Sequence, residues 1–221
     1  MLNAKCLAIY TTAMLKRIPF IRPMAPTLTK TPPTGPEWSH EVKFDGWRAQ
    51  IHLDDGEATI FSKGGSDLTK RFRALRPVLD QIPARRAILD CELVACGPDG
   101  MPCFKTLMAY RKTDAPLCLW AFDLLALDGV RLLPLPLYER RARLADLITA
   151  TVSEHIQCSG AFDDPMKLLA TCERMGLEGI VSKKRDAPYR PGPTRAWLKT
   201  KTVSWREANR DRWEQFVVGC S

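Results

Sequence analysis

The 221-residue sequence has no apolar run of roughly eighteen residues or more, so it offers no helix that could span a bilayer and no membrane partner is expected. Its mildly apolar opening is interrupted by Lys5 and by Tyr10-Thr11-Thr12. That makes a poor secretory signal, and residues 1–18 read as an N-terminal extension. The eight cysteines (Cys6, Cys91, Cys96, Cys103, Cys118, Cys158, Cys172 and Cys220) include no C-x-x-C pair, which argues against a zinc cluster. Several lie in apolar runs, where a reduced cysteine serves as a small core residue, and a reducing, cytoplasmic compartment fits them best. Internal repeats and low-complexity tracts are absent, which sets aside solenoids and long disordered linkers.

Hydrophobic residues make up 45% and charged residues 26%, as in ordinary globular chains. The charge balance is less ordinary. A net +8 calls for a polyanionic partner, nucleic acid or an anionic surface, although a generically basic protein would show the same number.

From Pro19 to Glu37 proline and threonine dominate without a period, so the segment reads as an extended lead-in. Glu41–Leu53 and Glu57–Lys63 then read as two strands joined at Asp54-Asp55-Gly56. Arg71–Ile82 carries Phe72, Leu75, Leu79 and Ile82 at helical spacing, with Asp67 or Thr69 as a cap. Ala87–Ala95 is a strand followed by a turn at 97–100, and Pro116–Leu127 is apolar enough to be a buried strand. Leu137–Ala150 is an amphipathic helix, and Asp164-Pro165 opens another that Gly176 ends. Gly179–Lys184 and Arg195–Val203 are the last strands. Hairpins mixed with helices, without regular alternation, predict an α+β fold of mainly antiparallel sheet flanked by helices, in one domain.

Six strings carry chemistry. Glu41-Val-Lys-Phe-Asp-Gly-Trp-Arg48 places Glu41, Lys43 and Asp45 on one strand face, which by itself is also what a solvated surface strand looks like. Ser62-Lys-Gly-Gly-Ser-Asp67 offers a glycine pair whose N–H groups can meet phosphate, or a simple turn. Asp90-Cys-Glu-Leu-Val-Ala95 puts Glu92 in an apolar strand, where a carboxylate needs a partner, a metal or a ligand. Trp120-Ala-Phe-Asp-Leu-Leu125 buries Phe122, as core or as a stacking platform. Leu177-Glu-Gly-Ile-Val-Ser-Lys-Lys184 sets Glu178 at a strand entrance. Trp197-Leu-Lys-Thr-Lys201 aligns Lys199 and Lys201 on one face, suited to phosphate.

In order and content these strings resemble the covalent nucleotidyltransferases: ATP-dependent DNA ligases, RNA ligases and mRNA capping enzymes. Lys43-Phe-Asp-Gly46 matches the K-x-D-G signature, with Arg48 at the family's arginine. Phe20-Ile-Arg-Pro-Met-Ala and Pro36-Glu-Trp38 are similar to the entry of the ligase domain in bacterial end-joining ligases. The resemblance runs from about Phe20 to Val218. It implies an ATP-grasp-like adenylation domain over residues 19–203. Lys43 would attack the α-phosphate of ATP and hold AMP as a phosphoramidate. Glu41 and Phe122 would recognise adenine, Arg48 and Glu92 the ribose and nick end, Lys199 and Lys201 the α-phosphate. Glu178, with Glu92, would serve Mg²⁺. Lys63 and Arg48 would contact DNA. The implied partner is nicked double-stranded DNA near a bacterial nucleoid, for sealing in repair or recombination.

The chemistry suits these residue types. A free lysine, with a pKa of about 10.4, costs about 4 kcal/mol to present as a neutral nucleophile at neutral pH, and nearby cations lower that cost. Mg²⁺ prefers oxygen ligands and bound phosphates, and explains the buried-looking acids better than a salt bridge would. Two departures from the family pattern stand out. The loop that usually reads Ser-Arg-Asn-Gly is Ser62-Lys-Gly-Gly65, which keeps the charge and loses the bidentate fork. After the Lys-x-Lys strand only residues 204–221 follow, where Glu214–Gly219 resembles the first strand of a cut-off oligonucleotide-binding barrel. A separate protein supplying that barrel, or an end-joining factor, is then an expected partner. An RNA ligase, a capping-type enzyme and a non-sealing nucleotide- or DNA-binding remnant are the alternative readings.

Overall fold

Lys43, Phe44, Asp45 and Gly46 form a corner at which the chain leaves one sheet and enters another. The structure is a computed structural model and describes residues 19–97, 102–110 and 115–209. Before the corner, β2 (Trp38–Lys43) pairs antiparallel with β9 (Gly179–Lys184). After it, β3 (Trp47–Asp54) pairs antiparallel with β4 (Glu57–Ser62) and β5 (Arg86–Ala95). The single strand expected over Glu41–Leu53 is therefore two strands in two sheets. Gly46 explains the break: a Cβ there would lie 2.3 Å from the Leu93 carbonyl oxygen and 2.9 Å from a Val94 methyl. Only glycine lets the corner press onto β5 this closely.

The first sheet has the order β1-β10-β9-β2, with β1 (Met24–Leu28) running parallel to β10 (Gly192–Lys201). The lead-in expected to be only extended thus contributes an edge strand, and β10 begins three residues earlier than Arg195. The second sheet has the order β4-β3-β5-β6-β7, from β6 (Leu117–Leu127) to β7 (Val130–Arg131), and β8 (Ile156–Cys158) lies parallel to β6. Antiparallel pairs dominate, and the α+β class holds. The Asp54–Glu57 hairpin closes with Asp55 at φ 50 and Gly56 at φ 89, the doubly left-handed turn that suits strand twist.

Among the described residues five short or medium helices flank the sheets: α1 (Arg76–Leu79), α2 (Phe104–Met108), α3 (Leu137–Thr149), α4 (Pro165–Arg174) and α5 (Val203–Ala208). The helix expected over Arg71–Ile82 is shorter, a 3-10 turn at Arg73–Leu75 followed by α1. Pro77 has no N–H to continue the preceding turn, so it opens a new one. The apolar residues of that spacing, Phe72, Leu75, Leu79 and Ile82, are all buried. Neither expected cap applies there, for Asp67 accepts from the Thr69 amide and Thr69 accepts from Ile60. Asp164 does cap α4, accepting from Met166 and Lys167, and Gly176 follows that helix at φ 65.

The main core lies between the second sheet and α3, where Leu144, Leu147 and Ile148 meet Leu89, Leu93 and Leu119. A smaller cluster of Met24, Ile88, Leu125, Tyr189 and Trp197 joins the two sheets. Strand β6 is buried on both faces, which accounts for an apolar run interrupted only by Asp123. Among the described residues no helix is long and apolar enough to cross a membrane. The expected turn at 97–100 and strand at 214–219 fall outside the described residues, at 98–100 and from 210 onward.

Candidate active site

A cleft of about 280 Å³ opens where the two sheets meet. Its walls include Glu41, Lys43, Arg48, Lys63, Glu92, Phe122 and Lys199, so seven of the nine sequence-predicted site residues share one cavity. The other two, Glu178 and Lys201, stand behind Lys43. Lys43 Nζ lies 2.7 Å from Glu178 Oε2, and Lys201 is ion-paired with the other oxygen of the same carboxylate. Glu178 and Lys201 keep only 5% and 9% of their side-chain exposure, against 22% for Lys43. Glu178, which the resemblance assigns to Mg²⁺, is held by two lysines. Lys199 and Lys201 share a strand face as expected but divide the work, one on the cleft wall and one beneath it.

Gly179 sets this arrangement. It has φ 146, and a Cβ there would approach the Thr200 carbonyl oxygen to 2.1 Å. The close approach of β9 to β10 carries Glu178 into the seam beside Lys43.

Burial pushes the Lys43 pKa below 10.5, with Glu92 and Asp45 opposing the shift and Arg48 reinforcing it. Burial also lowers the Lys199 pKa, helped by the charges of Lys43 and Lys63. Glu92 moves the other way. Burial pushes its carboxyl up to about 7, against the pull of Lys43 and Arg48. A nucleophile made easier to deprotonate, beside convergent cations, suits attack on a phosphate.

Arg48 is fixed from several sides. Its Nε and Nη2 donate to Asp90 at 2.9 and 2.6 Å, and Nη1 donates to the Met24 carbonyl at 2.6 Å. Tyr189 also donates its hydroxyl to Asp90, at 2.7 Å. Phe122 meets Trp197 edge-on at 6.1 Å between ring centroids. Glu41, 2% exposed, is met at Oε1 by Arg141 and by Lys183, each at 2.8 Å.

Arg141, Lys183, Asp90 and Trp197 are parts of the site to which the sequence reading assigned no role. Lys183, Asp90 and Trp197 stand inside strings already marked for chemistry, and that proximity was the available signal. Arg141 gave no local signal, because its partner Glu41 is 100 residues away in sequence.

A family model for the ATP dependent DNA ligase domain matches residues 20–201. The chain belongs to the ATP-dependent DNA ligase domain family. The ligase domain is 34% identical over 185 residues to the multifunctional non-homologous end joining protein LigD of Pseudomonas aeruginosa, covering 82% of this chain and 22% of that protein. It is also 34% identical over 185 residues to a DNA ligase of Pyrobaculum islandicum, covering 77% of this chain and 30% of the relative. The chain thus spans under a third of the length of these curated relatives. Among solved structures, a mycobacterial DNA ligase D complexed with ATP and MES superposes with a TM-score of 0.73 at 30% identity, covering 82% of this chain and 60% of that one. The ligase domain from Mycobacterium tuberculosis LigD gives a TM-score of 0.72 at the same identity and coverage.

Proposed function

We propose that this ligase domain carries AMP on Lys43 and delivers it to the 5′-phosphate of nicked DNA, as the first steps of strand sealing. The observation that carries this reading is the seating of Lys43, its pKa lowered by burial, at the meeting of two sheets among Lys199, Arg48 and Lys63. Neutral Lys43 Nζ forms the N–P bond to the α-phosphorus as the bond to pyrophosphate breaks. Lys199 faces the cleft and balances charge gathering on the α-phosphate. A 5′-phosphate oxygen then attacks the same phosphorus and Lys43 leaves, after which a 3′-hydroxyl displaces AMP. Glu41 accepts from the adenine amine and Phe122 stacks on the base.

Among the described residues no three or more His, Cys, Asp or Glu side chains gather as a metal cluster. Mg²⁺ needs no such cluster, because one carboxylate and substrate phosphates suffice. Glu92 fits that role, being a cleft carboxylate that burial, not a lack of nearby cations, has raised to about 7. Glu178 fits it less well while both its oxygens hold lysines. When bound, the ion would neutralise phosphate charge and ease departure of pyrophosphate.

Intact-protein mass after incubation with ATP and Mg²⁺ tests the reading: wild type gains one AMP and Lys43→Ala gains none. An equal gain in both would remove Lys43 from the reaction. A competition between nicked DNA and nicked RNA for the adenylated protein then fixes the acceptor, and a preference for RNA would replace DNA in this reading.

A further inference from the structure

At the cleft wall one guanidinium ties together three separate segments. Arg141, on α3, donates from Nη1 to Glu41 Oε1 at 2.8 Å and to the Phe122 carbonyl at 3.3 Å. Its Nη2 donates to the Ser159 carbonyl, just beyond β8. Glu41, Phe122 and Ser159 all line the cleft. Lys183 reinforces the same point, meeting Glu41 Oε1 at 2.8 Å with its ammonium 4.4 Å from the centroids of both Phe122 and Trp197.

Two features of this geometry matter. Two cations, Arg141 and Lys183, meet a Glu41 carboxylate that is 2% exposed, and a carboxylate oxygen so paired is a hydrogen-bond acceptor. The shortest contact of each is to Oε1. The carboxylate is held in one orientation, with one oxygen committed to the protein.

We infer that Arg141 is a positioning residue for base selection, holding Glu41 and the Phe122 main chain so that the cleft accepts a 6-amino purine and rejects a 6-oxo purine. This rests on the proposed reading of Glu41 as the adenine contact. An exocyclic amine can donate to a fixed carboxylate oxygen, whereas a 6-oxo group would set two acceptors against each other. A site built to pair with a donor penalises any ligand lacking it, because its own buried group is left unpaired. Only arginine has a fork wide enough to serve a carboxylate and two carbonyls together.

The test compares ATP, GTP and purine riboside triphosphate, which lacks the 6-amino group, on the whole chain. Calorimetry gives Kd and intact mass gives AMP or GMP uptake. In wild type, removing the amine should weaken binding by about tenfold or more. In Arg141→Met, ATP binding should weaken by about tenfold, and the penalty for lacking the amine should shrink to about twofold or less. Arg141→Lys should fall between the two, and it carries the same comparison if the methionine variant does not fold. A merely structural role would weaken all three nucleotides by the same factor, and that result, or unchanged ATP binding in the variant, overturns the inference. Wild type that binds ATP with the expected preference but takes up no AMP would instead sink the lysyl-AMP reading, leaving the base-selection inference standing.

Discussion

Two titratable groups in the cleft are shifted in opposite directions, and each has a measurable consequence. Lys43 must lose its proton to attack, and burial lowers its pKa below 10.5. The neutral fraction therefore grows about tenfold per pH unit up to that lowered pKa and then levels. Single-turnover AMP uptake followed against pH should rise with unit slope and reach its plateau below pH 10.5; a plateau at or above that value would mean that burial does not tune this lysine. Glu92 is raised from 4.5 to about 7. Below 4.5 both folded and unfolded forms are protonated. Between 4.5 and 7 the folded form holds a proton that the unfolded form has lost, so this group's contribution to stability falls as pH rises through that window and stays low above it. Glu92→Gln removes the penalty. Urea unfolding without nucleotide or metal should find the variant more stable than wild type by on the order of 1 kcal/mol at pH 8, with the difference vanishing near pH 4. A difference independent of pH would show that Glu92 is not strained by burial. The same substitution should slow ligation, which separates a residue kept for chemistry from one kept for stability.

At the scale of elements, α3 locks β6 into place through two consecutive arginines. Arg140 donates to both oxygens of Asp123, from Nε at 2.7 Å and Nη2 at 2.8 Å, with both side chains fully buried. Its Nη1 also serves the carbonyls of Leu135 and Ala187. Removing one partner leaves a charge without compensation, so Asp123→Asn should cost about 3–5 kcal/mol in chemical denaturation. A loss below about 1 kcal/mol would mean that the pair contributes little beyond filling space. Asp123 also shows where sequence reading ends. That an acid interrupts the apolar run of β6 was plain, but its partner lies on a helix that any amphipathic pattern would equally have produced. Lys43 was marked by the K-x-D-G resemblance, Glu92 by being a carboxylate in an apolar strand, and Glu178 by its place beside Gly179 at a strand entrance. Strand β1 was not, since Met24–Leu28 is an edge strand containing Pro26 and is defined only by pairing with β10, more than 160 residues away. The division of Glu41–Leu53 was hidden for a similar reason. The contact that forces the corner is between Gly46 and β5, nearly 50 residues further along.

For the whole molecule, the chain carries a net +8, and the cleft where the two sheets meet is lined by Lys43, Arg48, Lys63, Lys183 and Lys199 against Glu41 and Glu92, a local cationic excess. If the proposed acceptor is right, charge of this kind would bind a nicked duplex by displacing condensed counterions, and the binding constant should then fall steeply as salt rises. The distribution matters more than the total. Lys63 lies in the loop after β4 and lines the cleft beside Lys43 and Lys199, whereas Arg76, Arg85 and Arg86 are engaged by Glu57, Asp80, Asp54 and Asp55 at the far end of the β3–β4 hairpin. Those arginines have carboxylates to neutralise them and should add little to the salt slope. Lys63→Ala should therefore weaken binding to nicked DNA and flatten the plot of log K against log salt by about 0.9, one phosphate's worth. Arg85→Ala should leave that slope within error of wild type. Fluorescence anisotropy across a salt series measures both. Equal flattening in the two variants would mean that the duplex senses only net charge, and an unchanged slope in Lys63→Ala would place the DNA backbone away from this loop.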